Sequence, residues 1–315
     1  METLRAAVIG VGYLGRFHAQ KYAALAGCRL EAVVDARAEA AAAVAAETAC
    51  RPLADYRELL GQVDCVSIAT PTPLHFDVAL AFLESGAHVL VEKPVTETVE
   101  QAAALVAAAK RACRVLQVGH LERFNPVVLA AEPLLTAPRF IECQRLAPFR
   151  ERGTDVNVVL DLMIHDLDLV QSIVGSEIIS VDAIGTPVFS QAVDIVNARL
   201  RFASGCVANA TASRVSMKTE RKLRLFQDDA YFSLDLQQKV LTVIRRQPGE
   251  VAEGKLPVSI SEQSFEQGDA LKAEIESFLA SCRGERPVAV SGEDGLRALR
   301  TAIAITRAVH EGAPA

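Results

Sequence analysis

No apolar run in the 315-residue sequence approaches the roughly 18 residues of a membrane-spanning helix. The amino terminus also lacks a secretory profile, because Ala6–Gly10 is too short an apolar core. A basic footprint is missing as well. Lys and Arg number 33 against 39 Asp and Glu, giving a formal net charge of -6, which argues against general nucleic-acid binding. The seven cysteines (Cys28, Cys50, Cys65, Cys113, Cys143, Cys206, Cys282) are odd in number, scattered and never spaced as CxxC. Such usage points to reduced thiols in a cytoplasmic protein and away from a disulfide or zinc framework. No internal repeat or low-complexity tract interrupts the chain beyond a few Ala-rich helices. The length suits two domains, and with 50% apolar residues a sizeable core is available.

Against that background the amino-terminal third is densely patterned. Ala6–Ile9 reads as a short buried strand running into Gly10-Val11-Gly12-Tyr13-Leu14-Gly15, a GxGxxG that opens a helix to about Leu25. Gly10 allows the tight turn, Gly12 lets a pyrophosphate approach the backbone, and Gly15 lets helix and strand pack closely. The helix start then presents free N–H groups to phosphate. A second strand, Leu30–Val34, ends in Asp35, twenty residues after Gly15. A carboxylate there accepts from a ribose 2′-OH and repels a 2′-phosphate, so the expected cofactor is NAD, with Arg37 leaving NADP open. The strand Cys65–Ala69 leads into Thr70-Pro71-Thr72-Pro73-Leu74-His75, a loop at the carboxyl edge of the sheet with Thr72 as expected helix cap. His75 reads as a first-turn helix residue within that cofactor loop.

The strand Val89–Val91 ends in Glu92-Lys93-Pro94. Ligands of open α/β sheets bind beyond the carboxyl ends of the strands, so Lys93 is carried there on a rigid support. Pro94 keeps Lys93 extended or in a turn, and the bond between them is a candidate for the cis form. A lysine so held can act as acid or base if its surroundings lower its pKa. With Val115–Val118 the pattern is βαβα throughout, which predicts a doubly wound parallel sheet.

The texture changes after Gly119. His120-Leu121-Glu122-Arg123-Phe124-Asn125-Pro126 is polar and marks a crossover, placing domains at 1–121 and 122–315. Strands at 140–145, 178–184, 195–202, 207–213, 222–226, 231–236 and 240–245 predict a large, mostly antiparallel sheet with helices on one face. The polar segment 247–268 reads as a connection, and helices near 270–281 and 292–311 close the chain. Between these, Asn157–Val174 is a helix apolar on nearly every side. Asp161, His165 and Asp168 stand at i, i+4 and i+7 on it, one narrow face that lines either a cavity or a structural pair. His and Asp one turn apart can share a metal, but no further His/Cys cluster supports this, and none is expected. Arg145, Arg150 and Arg152 precede the helix, with Arg123 at the crossover. Guanidiniums near a cleft suit phosphate or carboxylate.

Four features in this order carry a resemblance covering essentially the whole chain: the GxGxxG at Gly10–Gly15, the Thr70-Pro71-Thr72 loop, Glu92-Lys93-Pro94, and Asp161-xxx-His165. Together they resemble the glucose–fructose oxidoreductase / inositol dehydrogenase (Gfo/Idh/MocA) family. The resemblance implies an N-terminal NAD-binding Rossmann domain and a C-terminal α+β domain whose large, mostly antiparallel open sheet often forms a homodimer or homotetramer interface. It further implies that Lys93, and His165 with Asp161, stand beside the nicotinamide, either Lys93 or His165 being the base. The cofactor would contact Gly10, Gly12, Tyr13, Leu14, Gly15, Asp35, Thr70, Pro71, Thr72, His75, Glu92, Lys93 and Pro94. The run Gly119–Pro126 and the run from Arg145 to Asp166 are similar to nucleotide-sugar dehydrogenases of that family. The implied substrate is a UDP-sugar, UDP-N-acetylglucosamine oxidised at C3, held by Lys93, His120, Arg123, Asn125, Arg145, Arg152, Asp161 and His165. A free cyclitol or monosaccharide, or an NAD-responsive regulator without catalysis, are the alternative readings.

Overall fold

A computed structural model describes residues 3–149, 157–247 and 257–311. The chain forms two compact units, Met1–Leu121 with Asp269–Leu299, and Glu122–Gly268 with Arg300–Ala315. Among the described residues no helix is long and apolar enough to cross a membrane.

The first unit alternates strand and helix: β1 (Leu4–Ile9), α1 (Tyr13–Ala24), β2 (Cys28–Val34), α2 (Ala38–Thr48), β3 (Arg51–Leu53), β4 (Cys65–Ile68), α3 (His75–Glu84), β5 (His88–Glu92), α4 (Val99–Ala112) and β6 (Leu116–Gly119). The six strands lie in the order β3-β2-β1-β4-β5-β6, and every pairing is parallel. Helices cover both faces of such a sheet, so its central strands read as unbroken apolar runs. In β5, Val89, Leu90 and Val91 are all buried. The chain leaves β1 toward β2 on one side and returns through β4 on the other. The gap between β1 and β4 is therefore the switch point where such sheets bind ligands. Thr98 caps α4 in a reciprocal box, its hydroxyl accepting from Gln101 N while Gln101 Oε1 accepts from Thr98 N.

The second unit follows with α5 (Pro126–Ala131), β7 (Phe140–Leu146), α6 (Ile164–Val174), β8 (Ile178–Thr186), β9 (Ile195–Phe202), β10 (Val207–Ser213), β11 (Glu220–Phe226), β12 (Ala230–Asp235), β13 (Val240–Arg246) and β14 (Val258–Ser264). Its eight strands run β14-β13-β12-β11-β7-β10-β9-β8. All neighbours are antiparallel except β7 and β10. Burial alternates strictly along β7, β9 and β12. One face thus packs inward, against α5 and α6. β14 corrects the sequence reading, which took 247–268 as a connection. Its residues are almost all exposed, so it carries no apolar alternation to announce it. Backbone pairing with β13 at the sheet edge is what makes it a strand.

Two helices close the chain, α7 (Ala270–Cys282) and α8 (Gly292–Glu311). α7 belongs to the first unit: Ile275, Phe278 and Leu279 complete the apolar cluster of Ala6, Val8, Tyr22, Leu30 and Leu90. A Cβ on Gly292 would come within 2.6 Å of Leu116 Cδ2, so the start of α8 lies hard against β6. The sequence reading ended the first domain at 121; the structure returns 269–299 to it.

Candidate active site

The loop after β1 is built for a dinucleotide. Gly10 sits at φ +82, where a side chain would be strained and would strike Thr70 N at 2.8 Å. A Cβ on Gly15 would meet Gly10 O at 1.8 Å, so α1 can approach β1 this closely only through glycine. Around Gly12 there is open space within 4 Å. Gly12 begins α1 with no side-chain cap and no acid in the first turn, which leaves that positive helix end to an anion. Tyr13 is 77% exposed at the same edge. The Asp35 carboxylate is held at the end of β2 by two backbone N–H groups: Oδ2 accepts from Val11 N at 3.0 Å, and Oδ1 from Arg37 N at 2.9 Å. These features fit the cofactor that the motif calls for.

The Thr70 and Lys93 loops are tied together. His75 Nδ1 lies 2.9 Å from Pro94 O and its Nε2 2.9 Å from Thr70 O. Burial lowers the His75 pKa, against the pull of the two carbonyls. A neutral ring donates to one carbonyl at a time. His75 is therefore a clip between two loops, a role that sequence position alone did not reveal. Thr72 is not a helix cap. It is the first residue of a 3₁₀ turn, Thr72–Leu74, that Pro71 precedes. Thr70 Oγ1 is buried and has no hydrogen-bond partner among the described residues; an acceptor or donor on a bound cofactor would satisfy it. The Lys93–Pro94 bond is cis, and Lys93 follows directly on β5 at the carboxyl edge.

In the second unit, the helix carrying His165 starts differently from expectation. Asn157 Oδ1 accepts from Val159 N at 2.9 Å. Residues Val159–Met163 then form a π-turn in which Ile164 N bonds to Val159 O, before regular α6 begins. Such turns are frequent at functional sites. Asp161 lies in the π-turn and His165 in the first turn of α6. Asp168 leaves the expected stripe for a structural pairing. It is 2% exposed and holds Arg123 by two prongs, Nε to Oδ2 at 2.6 Å and Nη2 to Oδ1 at 3.0 Å.

Arg145 also departs from the sequence expectation. Its side chain is 4% exposed and engages Asp166 by two prongs and Glu122 by Nη1 at 3.0 Å. Burial opposes the Arg145 charge, but Asp166 and Glu122 outweigh it and raise the guanidinium pKa further. Asn125 is likewise committed. Its Oδ1 accepts from Val127 N, capping α5, and its Nδ2 donates to Glu122 Oε2 and Leu236 O. Glu122 and Asp166 are the residues that sequence reasoning missed here. Their signal was an Arg on a strand whose alternation points it inward, where a charge demands partners. His120 is buried at the end of β6, its N–H bonded to Val118 O at 2.8 Å. Arg150 and Arg152 lie outside the described residues. Lys93 belongs to the first unit, and Asp161 and His165 to the second.

Comparison with known proteins agrees with this anatomy. Residues 4–120 match the model of an oxidoreductase family with an NAD-binding Rossmann fold, and residues 149–315 match that family's C-terminal alpha/beta domain. UDP-N-acetylglucosamine 3-dehydrogenase of Acidithiobacillus ferrooxidans is 42% identical over 311 residues, covering 98% of each chain. A solved structure of that enzyme superposes with a TM-score of 0.92 over 99% of both chains. Inositol 2-dehydrogenase of Rhizobium meliloti is 28% identical over 326 residues, again 98% of each. With family models matching nearly the whole chain and a relative 42% identical along its full length, the chain belongs to the Gfo/Idh/MocA family of NAD-binding oxidoreductases.

Proposed function

We propose that the protein oxidises a secondary hydroxyl of a nucleotide sugar, UDP-N-acetylglucosamine at C3, to the 3-keto sugar, with NAD⁺ as oxidant. The observation that carries this reading is the 42% identity to a UDP-N-acetylglucosamine 3-dehydrogenase along essentially the full length of both chains. Gly10, Gly12, Gly15 and the start of α1 would hold the pyrophosphate, Asp35 the adenosine ribose, and Thr70 the nicotinamide side. When bound, the nicotinamide supplies the hydride acceptor. The protein's own task is the proton. Lys93 removes it from the sugar hydroxyl, His165 shares that hydroxyl's hydrogen bond, and Asp161 orients His165.

A 3-keto nucleotide sugar of this kind fits the early steps of lipid A assembly in the cytoplasm, and the open sheet of the second unit fits a homodimer or homotetramer. The reading predicts NADH formation, followed by absorbance, when the protein meets NAD⁺ and UDP-N-acetylglucosamine. Turnover of free inositols in place of any UDP-sugar would replace it with the cyclitol reading, which the 28% identity to inositol 2-dehydrogenase supports.

A further inference from the structure

Directly behind Lys93 lies a buried hydrogen-bond chain that the proposed chemistry does not use. Tyr22 Oη is 2.9 Å from Ser67 Oγ, Ser67 Oγ is 3.1 Å from His18 Nδ1, and His18 Nε2 is 3.1 Å from Glu92 Oε1. Tyr22, Ser67 and His18 are at most 1% exposed, and Glu92 is 7% exposed. With a neutral imidazole and an ionised Glu92 the chain has one consistent direction. Tyr22 donates to Ser67, Ser67 to His18 Nδ1, and His18 Nε2–H to Glu92. The Glu92 carboxylate is held against Gly119, where any Cβ would fall 2.9 Å from its Oε1.

Glu274 of α7 meets this group. It is 0% exposed, and neither carboxyl oxygen has a hydrogen-bond partner among the described residues. Ligand atoms of Glu274, Glu92 and His18 all lie within 4.8 Å of one another. Two adjacent buried carboxylates repel each other unless a proton or a cation is held between them. We propose that Glu274 keeps its proton and turns the resulting O–H toward the Glu92 carboxylate, and that this carboxyl–carboxylate pair, backed by His18, is a positioning device for the turn that bears Lys93. Burial, and after it the charge of Glu92, hold the Glu274 carboxyl well above the usual carboxylate range. The role of Lys93 rests on the function proposed above; the protonation of Glu274 does not.

Infrared spectroscopy of the intact, substrate-free protein near neutral pH tests the first half. The carbonyl stretch of an un-ionised carboxylic acid should be present, shift in D₂O, and vanish in Glu274→Gln. Its absence overturns the proposal. So does a bound metal whose removal makes the band appear, since the three groups would then be ligands. Steady-state kinetics tests the second half. Glu274→Gln keeps a neutral donor toward Glu92 and should retain kcat within about threefold. Glu274→Leu removes the donor and should lower kcat about tenfold or more with little change in KM for NAD⁺. Equal losses in the two variants, or wild-type kcat in Glu274→Leu, overturn the positioning role. If Glu274→Leu does not fold, the infrared band and the rescue by glutamine still decide. A present band with no turnover of any sugar would sink only the substrate assignment.

Discussion

Arg145 and Asp166 form a two-pronged ion pair inside the second unit, Nη2 to Oδ1 at 2.7 Å and Nε to Oδ2 at 3.0 Å. Removing one partner of such a pair leaves the other charge buried alone, at a cost of about 3–5 kcal/mol. Arg145→Ala should therefore lose stability by that order in denaturant titrations, and Arg145→Lys a large part of it, because an ammonium cannot reproduce the fork. The KM for the nucleotide sugar should stay near wild type in the folded fraction. Unchanged stability with a KM raised tenfold would return Arg145 to the substrate.

Lys93→Met should cut turnover by ~10²–10⁴, the range of general acid–base catalysis, while NAD⁺ still binds. His165→Ala should act in the same direction. A His165→Ala enzyme that lost only melting temperature would identify the Asp161–His165 pair as structural. Isothermal titration with NAD⁺ separates the two outcomes, because a collapsed cofactor site would abolish binding as well as turnover.

In the proposed reading, Asp35 is the residue that discriminates against a 2′-phosphate. Like charges brought together cost several kcal/mol, and 1.4 kcal/mol is about a factor of ten. Asp35→Ser should thus lower the ratio of kcat/KM for NAD⁺ over NADP⁺ at least about tenfold. Arg37, whose N–H and side chain both bond to Asp35 Oδ1, would then be free to meet a 2′-phosphate. A ratio that does not move would show that the preference is set elsewhere.

His88 ties stability to pH. Its Nδ1 accepts from Val115 N at 2.9 Å, which requires an unprotonated nitrogen. Burial, and then the Arg114 charge, push its pKa down from 6.5 to about 4. Within that window the unfolded chain binds a proton that the folded protein refuses, so stability is full above pH 6.5 and falls as pH drops toward 4. The ceiling is about 3 kcal/mol, and because the ring is partly exposed, solvent screening leaves about 1 kcal/mol. His88→Asn keeps an acceptor without a titration. In urea titrations at about pH 7.5 and about pH 4 it should lose roughly 1 kcal/mol less than the wild type between the two conditions; equal losses would remove His88 as the cause.

Much of the fold was legible because its periods are simple. The buried runs of β1, β4 and β5, and the alternation along β9 and β10, each have one structural solution. The glycines of the first loop were readable too, since backbone contact leaves no room for any other residue. What escaped were features that exist only across long sequence separations. The sequence marks Arg145 as a guanidinium near a cleft, but only the packed unit brings Asp166 and Glu122 to it. It marks Asp168 as the third member of a stripe, but the partner, Arg123, lies in the crossover. The π-turn at Val159–Met163 inserts a register change that an apolar helix conceals, and β14 pairs through its backbone alone.

The placement of α7 has a consequence for biogenesis. Ile275, Phe278 and Leu279 complete an apolar cluster whose other buried members all lie at or before Leu90. A nascent chain leaving the ribosome exposes that unfinished face through the whole of β7 to β14 before the missing helix emerges. The Rossmann portion therefore cannot mature first and wait for its neighbour. A fragment stopped at residue 121 would present greasy surface to chaperones and to other unfinished copies.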